Sequence, residues 1–178
     1  MNTEKVLVAY FVRKGKEDSA NSVKLAKKLE ALLKAKGVDY NTFAITPTEI
    51  YPEDAAEFEA VTKEENHAKA RPELVGKYSG MKYVDRMVVI APNWWESLPT
   101  GVLTFFDDYD MTGKRVVPVI ATSDDAKKVR LEVRDYLPHT WVLEGVDVKD
   151  DGTEADTDAA LAKAVEQLFE PDKHSTHY

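Results

Sequence analysis

The sequence contains no cysteine. This absence excludes disulfides, thiolate catalysis, iron–sulfur clusters and zinc ribbons, and it is consistent with a reducing compartment. Long apolar runs are missing as well, because the apolar segment at residues 6–11 is too short for a signal peptide or a membrane span. We therefore expect a cytoplasmic protein with no membrane partner.

Positive charge is scarce relative to negative charge. The chain has 24 Lys and Arg against 32 Asp and Glu, so its formal net charge is −8. Such a surface repels nucleic acid and anionic lipid, and favours basic partners. With 178 residues, of which 43% are hydrophobic, the chain is long enough for one domain with a substantial core. We expect that domain to span residues 1–170, followed by a disordered tail at 171–178.

The most informative stretch begins at residues 87–91, where five consecutive apolar residues are typical of a strand buried on both faces of a parallel sheet. Pro92 ends this strand, and Trp94 and Trp95 follow in a loop. Ligands of open α/β sheets bind beyond the carboxyl ends of the strands. The Trp-Trp loop therefore predicts a stacking surface for a flat aromatic ligand. The alternative is that both indoles cap the core, but we expect at least one to line a site.

The first strand, residues 6–11, leads through a polar loop at 12–18 into a helix that ends near Gly37. Three residues are able to cap this helix: Ser19, Asn21 and Ser22. The start of a helix beyond a strand is an anion site, because its free N–H groups and its dipole both favour negative charge.

The whole chain alternates between strand and helix patterns. Strands are predicted at residues 6–11, 39–45, 87–91, 115–121 and 140–146. Pro118 lacks a ladder donor, so we expect a bulge or irregular pairing in the fourth strand. Ser123 or Asp124 should cap the helix that follows it. The pattern predicts an α/β fold, a three-layer αβα doubly wound, five-stranded parallel sheet.

Several short motifs carry a family resemblance. They are Tyr10-Phe11 with Arg13, Tyr51-Pro52, Glu65-Asn66, Arg71-Pro72, Pro92-Asn93-Trp94-Trp95 and residues 105–114. Together they resemble the flavodoxin family, in particular the short bacterial flavodoxin-like proteins, from the first strand to about Val146. The resemblance implies the flavodoxin-like strand order 2-1-3-4-5.

The resemblance also implies FMN as the cofactor. The phosphate would lie at the start of the first helix, and Trp94 or Trp95 would stack on the ring. The implied cofactor-binding residues are Arg13, Ser19, Ala20, Asn21, Ser22, Pro92, Asn93, Trp94, Trp95, Glu96, Ser97, Thr122, Ser123 and Asp124. No side chain is expected to be a catalytic acid, base or nucleophile, since the flavin supplies the redox chemistry.

The chain departs from the family pattern at the site itself. Its phosphate loop is longer, Val12 replaces the first serine of that loop, and residues 20–22 read Ala-Asn-Ser where Gly-Asn-Thr is usual. Residues 123–126 lack the usual glycines, and Glu96 stands where glycine commonly follows the two tryptophans.

The charges of the first loop have opposite effects on a phosphate. Arg13, Lys14 and Lys16 would attract it, whereas Glu17 and Asp18 could themselves occupy the positive end of the helix.

Three functions remain open at this stage. The first is a flavoprotein that moves electrons from NAD(P)H or a reductase to a quinone or protein acceptor. The second is an electron carrier that docks on a redox partner through its acidic surface, and the third is an interaction module that has lost FMN. The chain would be a monomer or a homodimer.

Other chemistries have little support in the sequence. The four histidines (His67, His139, His174 and His177) show no metal-ligand spacing. Ser97 and Ser123 have no histidine at a recognisable triad spacing, so a hydrolase is not expected.

Overall fold

A computed structural model describes residues 5–18 and 20–171 of the chain. The strands are β1 (Lys5–Phe11), β2 (Tyr40–Ile45), β3 (Val84–Pro92), β4 (Arg115–Thr122), β5 (Trp141–Val142) and β6 (Val146–Lys149). The helices are α1 (Asn21–Ala35), α2 (Ala55–His67), α3 (Thr100–Asp108), α4 (Lys127–Tyr136) and α5 (Glu154–Phe169). Ser19, the two histidines His174 and His177, and the rest of the predicted tail after residue 171 lie outside the described residues.

The strands form one parallel sheet in the order β2-β1-β3-β4-β5, with β6 also paired to β4. This order confirms the predicted α/β doubly wound fold. Parallel neighbours need crossover connections, which the helices provide. Within the described residues, no helix is long and apolar enough to cross a membrane.

Alternate residues of the buried strands supply two apolar layers. In β1, Leu7 and Ala9 face the layer that includes α3 and α4, whereas Val6 and Val8 face the layer that includes α1 and α5. This alternation follows from the two-residue period of a strand. Because both faces are covered, β1 and β3 are almost entirely apolar, as the sequence pattern predicted.

The predicted fifth strand, residues 140–146, is wrong in its continuity. It consists of two short strands, β5 and β6, which pair with β4 on either side of Pro118. Gly145 lies in the break with φ +75°, and a Cβ there would collide with the Pro118 carbonyl oxygen. The amide of Gln167 in α5 bonds both the N–H and the C=O of Gly145, at 2.7 and 3.1 Å. The irregular pairing expected at Pro118 is confirmed. The backbone N–H and C=O of Gly145, which face this break, are satisfied by the Gln167 side chain.

The predicted helix caps are wrong where the structure describes them. Ala20 precedes α1 without a side-chain cap, and the Ser22 hydroxyl instead donates to the Phe11 carbonyl at 2.6 Å. At α4, Asp125 accepts from the Lys127 N–H at 2.7 Å, so neither Ser123 nor Asp124 is the cap. Asp147, remote in sequence, accepts from the Ala126 N–H at 3.1 Å. At both helix starts a residue from another element, Phe11 or Asp147, takes a hydrogen bond near the predicted cap. The sequence next to each helix does not reveal these remote partners.

Candidate functional site

A cleft of about 420 Å³ lies where β1, β3 and β4 end. Its walls are Phe11, Val12, Arg13, Lys16, Ala20, Asn21, Ser22, Pro92, Asn93, Trp94, Ala121 and Asp150. Of the sequence-predicted residues, the cleft gathers Arg13, Ala20, Asn21, Ser22, Pro92, Asn93 and Trp94. The position agrees with the rule that ligands bind beyond the carboxyl ends of parallel strands.

The start of α1 forms one end of the cleft. The N–H groups of Asn21 and Ser22 are the first of the helix, so neither has an intrahelical acceptor, and neither bonds another backbone carbonyl among the described residues. The bond from the Ser22 hydroxyl to Phe11 fixes this helix start against the end of β1. Ser22 therefore offers its backbone N–H to the cleft, while its hydroxyl hydrogen is already used.

The acidic residues of the first loop do not cover the helix start. Glu17 and Asp18 are exposed, and neither is among the residues that line the cleft. Hydrogen bonds from the backbone N–H groups of Gly15 and of Glu17 itself lower the pKa of the Glu17 carboxyl. That carboxylate is therefore held within its own loop, and the first turn of α1 has no acidic side chain.

Two cations stand beside the helix start. The Arg13 guanidinium lies 4.3 Å from the centre of the Phe58 ring, and its Nη2 donates to the Pro52 carbonyl at 2.9 Å. Its Nε is buried and has no hydrogen-bond partner among the described residues. The Lys16 ammonium pairs with Glu53 at 3.1 Å. An anion in the cleft would meet a preorganised guanidinium with an unused donor.

The Trp94 indole is one wall of the cleft. It makes near-perpendicular ring contacts with Phe11 at 5.0 Å, Phe58 at 5.0 Å and Tyr51 at 5.8 Å. Such edge-to-face pairs hold a ring in one orientation. Trp94 is thus the indole that faces a cleft, and its role in holding a ligand stays a prediction.

The next two residues form a tight turn that points Trp95 away. Trp94 and Ser97 exchange two backbone hydrogen bonds of 3.0 Å, with φ of +59° at Trp95 and +60° at Glu96. These are the dihedrals of a type I′ turn, which normally has glycine or asparagine at both central positions. Neither central residue lines the cleft.

Each side chain of this turn is tied to a neighbouring helix. The Trp95 indole N–H donates to the Thr62 hydroxyl of α2 at 2.8 Å, and the ring remains 41% exposed. Glu96 is exposed and lies 3.6 Å from the Lys128 ammonium of α4. The Ser97 hydroxyl donates to the Glu132 carboxylate, which also accepts from the Leu98 N–H at 2.9 Å.

The β4 loop adjoins the cleft through Asn93. The Asn93 side-chain NH₂ donates to the Thr122 hydroxyl at 3.1 Å, and that hydroxyl donates to Asp124 at 3.1 Å. The Asn93 Oδ1 atom is buried without a partner among the described residues. Ser123 and Asp124 are exposed and lie outside the cleft lining, whereas Thr122 reaches it only through Asn93. An unused acceptor in a cleft wall is available to a donor of a ligand or of water.

Asp150 lines the cleft, and the sequence reasoning missed it. Burial, and then the neighbouring Asp151, raise the pKa of the Asp150 carboxyl. The predicted fifth strand ended at residue 146, whereas β6 continues to Lys149 and brings Asp150 to the sheet edge. A predicted strand end at Lys149 rather than at residue 146 would have revealed this position.

A buried phenol, Tyr51, and a half-buried carboxyl, Glu65, form a pair next to Trp94. The Tyr51 hydroxyl donates to Glu65 at 3.2 Å, and the Tyr51 ring contacts Trp94. Burial first, and then a hydrogen bond with Glu49, raise the pKa of Glu65 to about 8. The Glu65 carboxyl is therefore largely protonated at neutral pH.

Residues 5–18 and 20–171 contain no group of three or more His, Cys, Asp and Glu that could hold a metal ion. The described site is thus a crevice with a helix start and two cations on one side and an aromatic wall on the other, at the switch point of a doubly wound sheet. A family model described as flavodoxin matches residues 5–167. The chain belongs to the flavodoxin family.

Solved structures with the same fold include three bacterial proteins. A flavoprotein of Lactobacillus acidophilus in complex with FMN is 17% identical, with a TM-score of 0.65, covering 88% of this chain and 98% of the other. Oxidised flavodoxin 1 of Bacillus cereus is 15% identical, with a TM-score of 0.59 and coverages of 94% and 99%. A candidate flavoprotein of Bacteroides eggerthii is 22% identical, with a TM-score of 0.71 and coverages of 92% and 97%. Comparison with curated proteins finds no match.

Proposed function

We propose that this chain binds FMN in the cleft and moves electrons from NAD(P)H or a reductase to a quinone or protein acceptor. Bound FMN supplies the redox chemistry, while the protein binds it, orients it and controls access of water. Membership of the flavodoxin family and the FMN complex of the Lactobacillus acidophilus flavoprotein support this choice of cofactor.

The observation that carries the proposal is the coincidence of unused polar groups and an aromatic wall in one cleft. The N–H groups of Asn21 and Ser22 would hold the phosphate, because they are the free donors of a helix start. The Arg13 Nε and the Asn93 Oδ1, both buried without partners among the described residues, offer one more donor and one acceptor. These groups suit a ligand with an anionic end and a polar body.

Trp94 would provide the flat surface for the ring. Its contacts with Phe11, Phe58 and Tyr51 already hold the indole in place, so the site loses little side-chain freedom when a ring stacks there. The same aromatic cluster would exclude water from one side of the ligand. No titratable side chain is required for the reaction.

The test compares the two tryptophans of the loop as matched variants. An absorption spectrum of the purified chain and a titration with FMN, followed by tryptophan fluorescence, measure binding directly. Trp94→Leu should weaken FMN binding by about tenfold, the size of one aromatic stacking contact. Trp95→Leu should change it by less than about threefold, because this ring does not line the cleft. A colourless wild-type chain that does not bind added FMN would contradict the proposal.

The acidic surface beside the cleft favours a second candidate, an electron carrier without its own turnover. Asp124 and Asp125 are exposed in the β4–α4 loop, and Glu96 is exposed in the neighbouring turn. A carrier that docks through these carboxylates should react with its partner at a rate that falls steeply as salt is raised. Steady NAD(P)H turnover with a quinone that does not respond to salt would instead favour the enzyme.

A further inference from the structure

A second cleft, of about 360 Å³, adjoins the first. It lies between α1 and the segment that joins β6 to α5. Its lining residues are Asn21, Lys24, Leu25, Lys28, Ala121, Val148, Lys149, Asp150, Gly152, Glu154 and Thr157. Each of the two clefts is within the usual size range of a small-molecule site.

The two clefts meet at the start of α1. Asn21, Ala121 and Asp150 line both of them. If the phosphate of FMN lies at the Asn21 and Ser22 N–H groups, with its ring at Trp94, the far side of the phosphate faces the second cleft. Any group joined to that phosphate would therefore extend into the second cleft.

The charges of the second cleft suit an anion. Three lysines line it against two carboxylates, in a chain whose net charge is −8. The Lys28 ammonium already pairs with Glu154 at 3.1 Å and with Asp158 at 2.8 Å. The ammonium groups of Lys24 and Lys149 have no ion-pair partner among the described residues, so they remain available to a phosphate.

The second cleft also has an apolar component. Leu25 and Val148 are buried side chains of the layer between α1, α5 and the sheet, and Ala121 lies beside them. Apolar lining with a few convergent polar groups is the usual composition of a small-molecule or cofactor site. A phosphate held by lysines and a base on this surface would occupy the cleft together.

We propose that the second cleft binds a second phosphate and a nucleoside joined to the flavin phosphate, so that the chain accepts FAD as well as FMN. The proposal rests on the proposed function, since it places the flavin in the first cleft. Lys24 and Lys149 are the residues that would distinguish the longer cofactor from the shorter one. Asp150 lines both clefts, so its carboxylate would oppose the binding of a second phosphate and limit the affinity gained over FMN.

The experiment measures the affinity of the flavin-free full-length chain for FMN, FAD and riboflavin by calorimetry. The test variant is Lys24→Ala/Lys149→Ala. The control variant is Lys27→Ala/Lys77→Ala, which removes the same charge from exposed positions that line neither cleft. FAD should bind the wild-type chain at least as tightly as FMN. The test variant should weaken FAD by about five- to tenfold and FMN by less than about twofold, and the control should leave both unchanged.

Three results would separate this inference from the proposed function. If FMN binds but FAD binds more than about tenfold more weakly, the inference is overturned and FMN binding stands. If the test variant weakens both flavins equally, the lysines act on the shared phosphate and the inference also fails. If no flavin binds, the proposed function fails, and this inference fails with it.

Discussion

At the scale of single residues, the turn from Trp94 to Ser97, beside the cleft, holds two residues in an unfavourable backbone conformation. Trp95 and Glu96 both have φ near +60°, a conformation that costs a residue with a Cβ about 1 kcal/mol or more. Such outliers persist where surrounding contacts hold them. Here the contacts are the Trp95–Thr62 hydrogen bond and the bonds of Glu132 to Ser97 and Leu98.

Glu96→Gly should raise the free energy of unfolding by about 0.5–1 kcal/mol, because glycine adopts positive φ without steric cost. The exposed ion pair to Lys128 that is lost contributes little. Urea unfolding measures the change. Glu96→Ala is the control, since it removes the same ion pair but keeps the strained φ. Equal stability of the two variants would show that the turn is not strained.

Glu65 makes stability depend on pH. Its folded-state pKa of about 8 lies above its ordinary value, so the folded chain holds a proton that the unfolded chain releases. This contribution to stability is therefore complete below the ordinary pKa and is lost as the pH rises towards about 8.

Glu65→Gln should flatten the decline of the melting temperature between pH 5 and pH 8, and should raise the melting temperature at pH 8. Thermal unfolding followed by circular dichroism across this range checks it. Glu64→Gln, at the exposed neighbouring position, should leave the decline unchanged. A melting temperature of Glu65→Gln that declines as steeply as that of wild type would contradict the assignment.

At the scale of elements, the site is held by contacts that cross from one helix to the next. Glu132 of α4 accepts hydrogen bonds from Ser97 and Leu98, which precede α3. Arg71, after α2, pairs with Asp107 of α3 and donates to the Tyr136 hydroxyl of α4. The loop that carries Trp94 is thus positioned by elements other than its own strand.

Glu132→Ala should lower the free energy of unfolding by about 1–3 kcal/mol, because it leaves the Leu98 N–H and the Ser97 hydroxyl without their acceptor. It should also weaken FMN binding, since the Trp94 loop loses an anchor. Glu132→Gln keeps one acceptor oxygen and should recover most of both. Asp135→Ala, exposed on the same helix, is the control. Unfolding in urea and FMN titration measure the two effects, and FMN affinity unchanged in Glu132→Ala would contradict the positioning role.

Gly145→Ala should lower the free energy of unfolding by about 2–4 kcal/mol, because the new Cβ would collide with Pro118 in addition to the cost of positive φ. Gly76→Ala is the matched control. It has φ +70° with no atom within 4 Å of the added Cβ, so it should cost only about 1 kcal/mol. Chemical unfolding measures the free energy of unfolding of both variants. The difference between the two losses is the energy of the contact between the added Cβ and Pro118. Equal losses in the two variants would show that the backbone moves apart at little cost.

At the scale of the whole molecule, the sheet could be predicted from the sequence and much of the site could not. The apolar runs of β1, β3 and β4 and the alternation with helices were sufficient for the fold, since burial on both faces leaves a clear pattern. The Trp94 wall and the start of α1 were predicted from their place after strands. The rest depends on distant partners. Thr62 accepts a hydrogen bond from Trp95, which lies outside the cleft, and Glu132 accepts one from the Ser97 hydroxyl. Asp150 lines the cleft because β6 continues to Lys149.

The long loop between β1 and α1 bears on how the sequences of such chains can change during evolution. The loop leaves the sheet at the end of β1 and returns at α1, where the Ser22 hydroxyl bonds the Phe11 carbonyl directly. This hydrogen bond joins β1 to α1 directly, and it does not depend on the length of the loop between them. Val12 is buried and Arg13 packs on Phe58, so insertions are best tolerated after these two residues, where they would mainly alter the exposed side chains near an incoming anion. Ligand preference can therefore evolve at this point independently of folding stability.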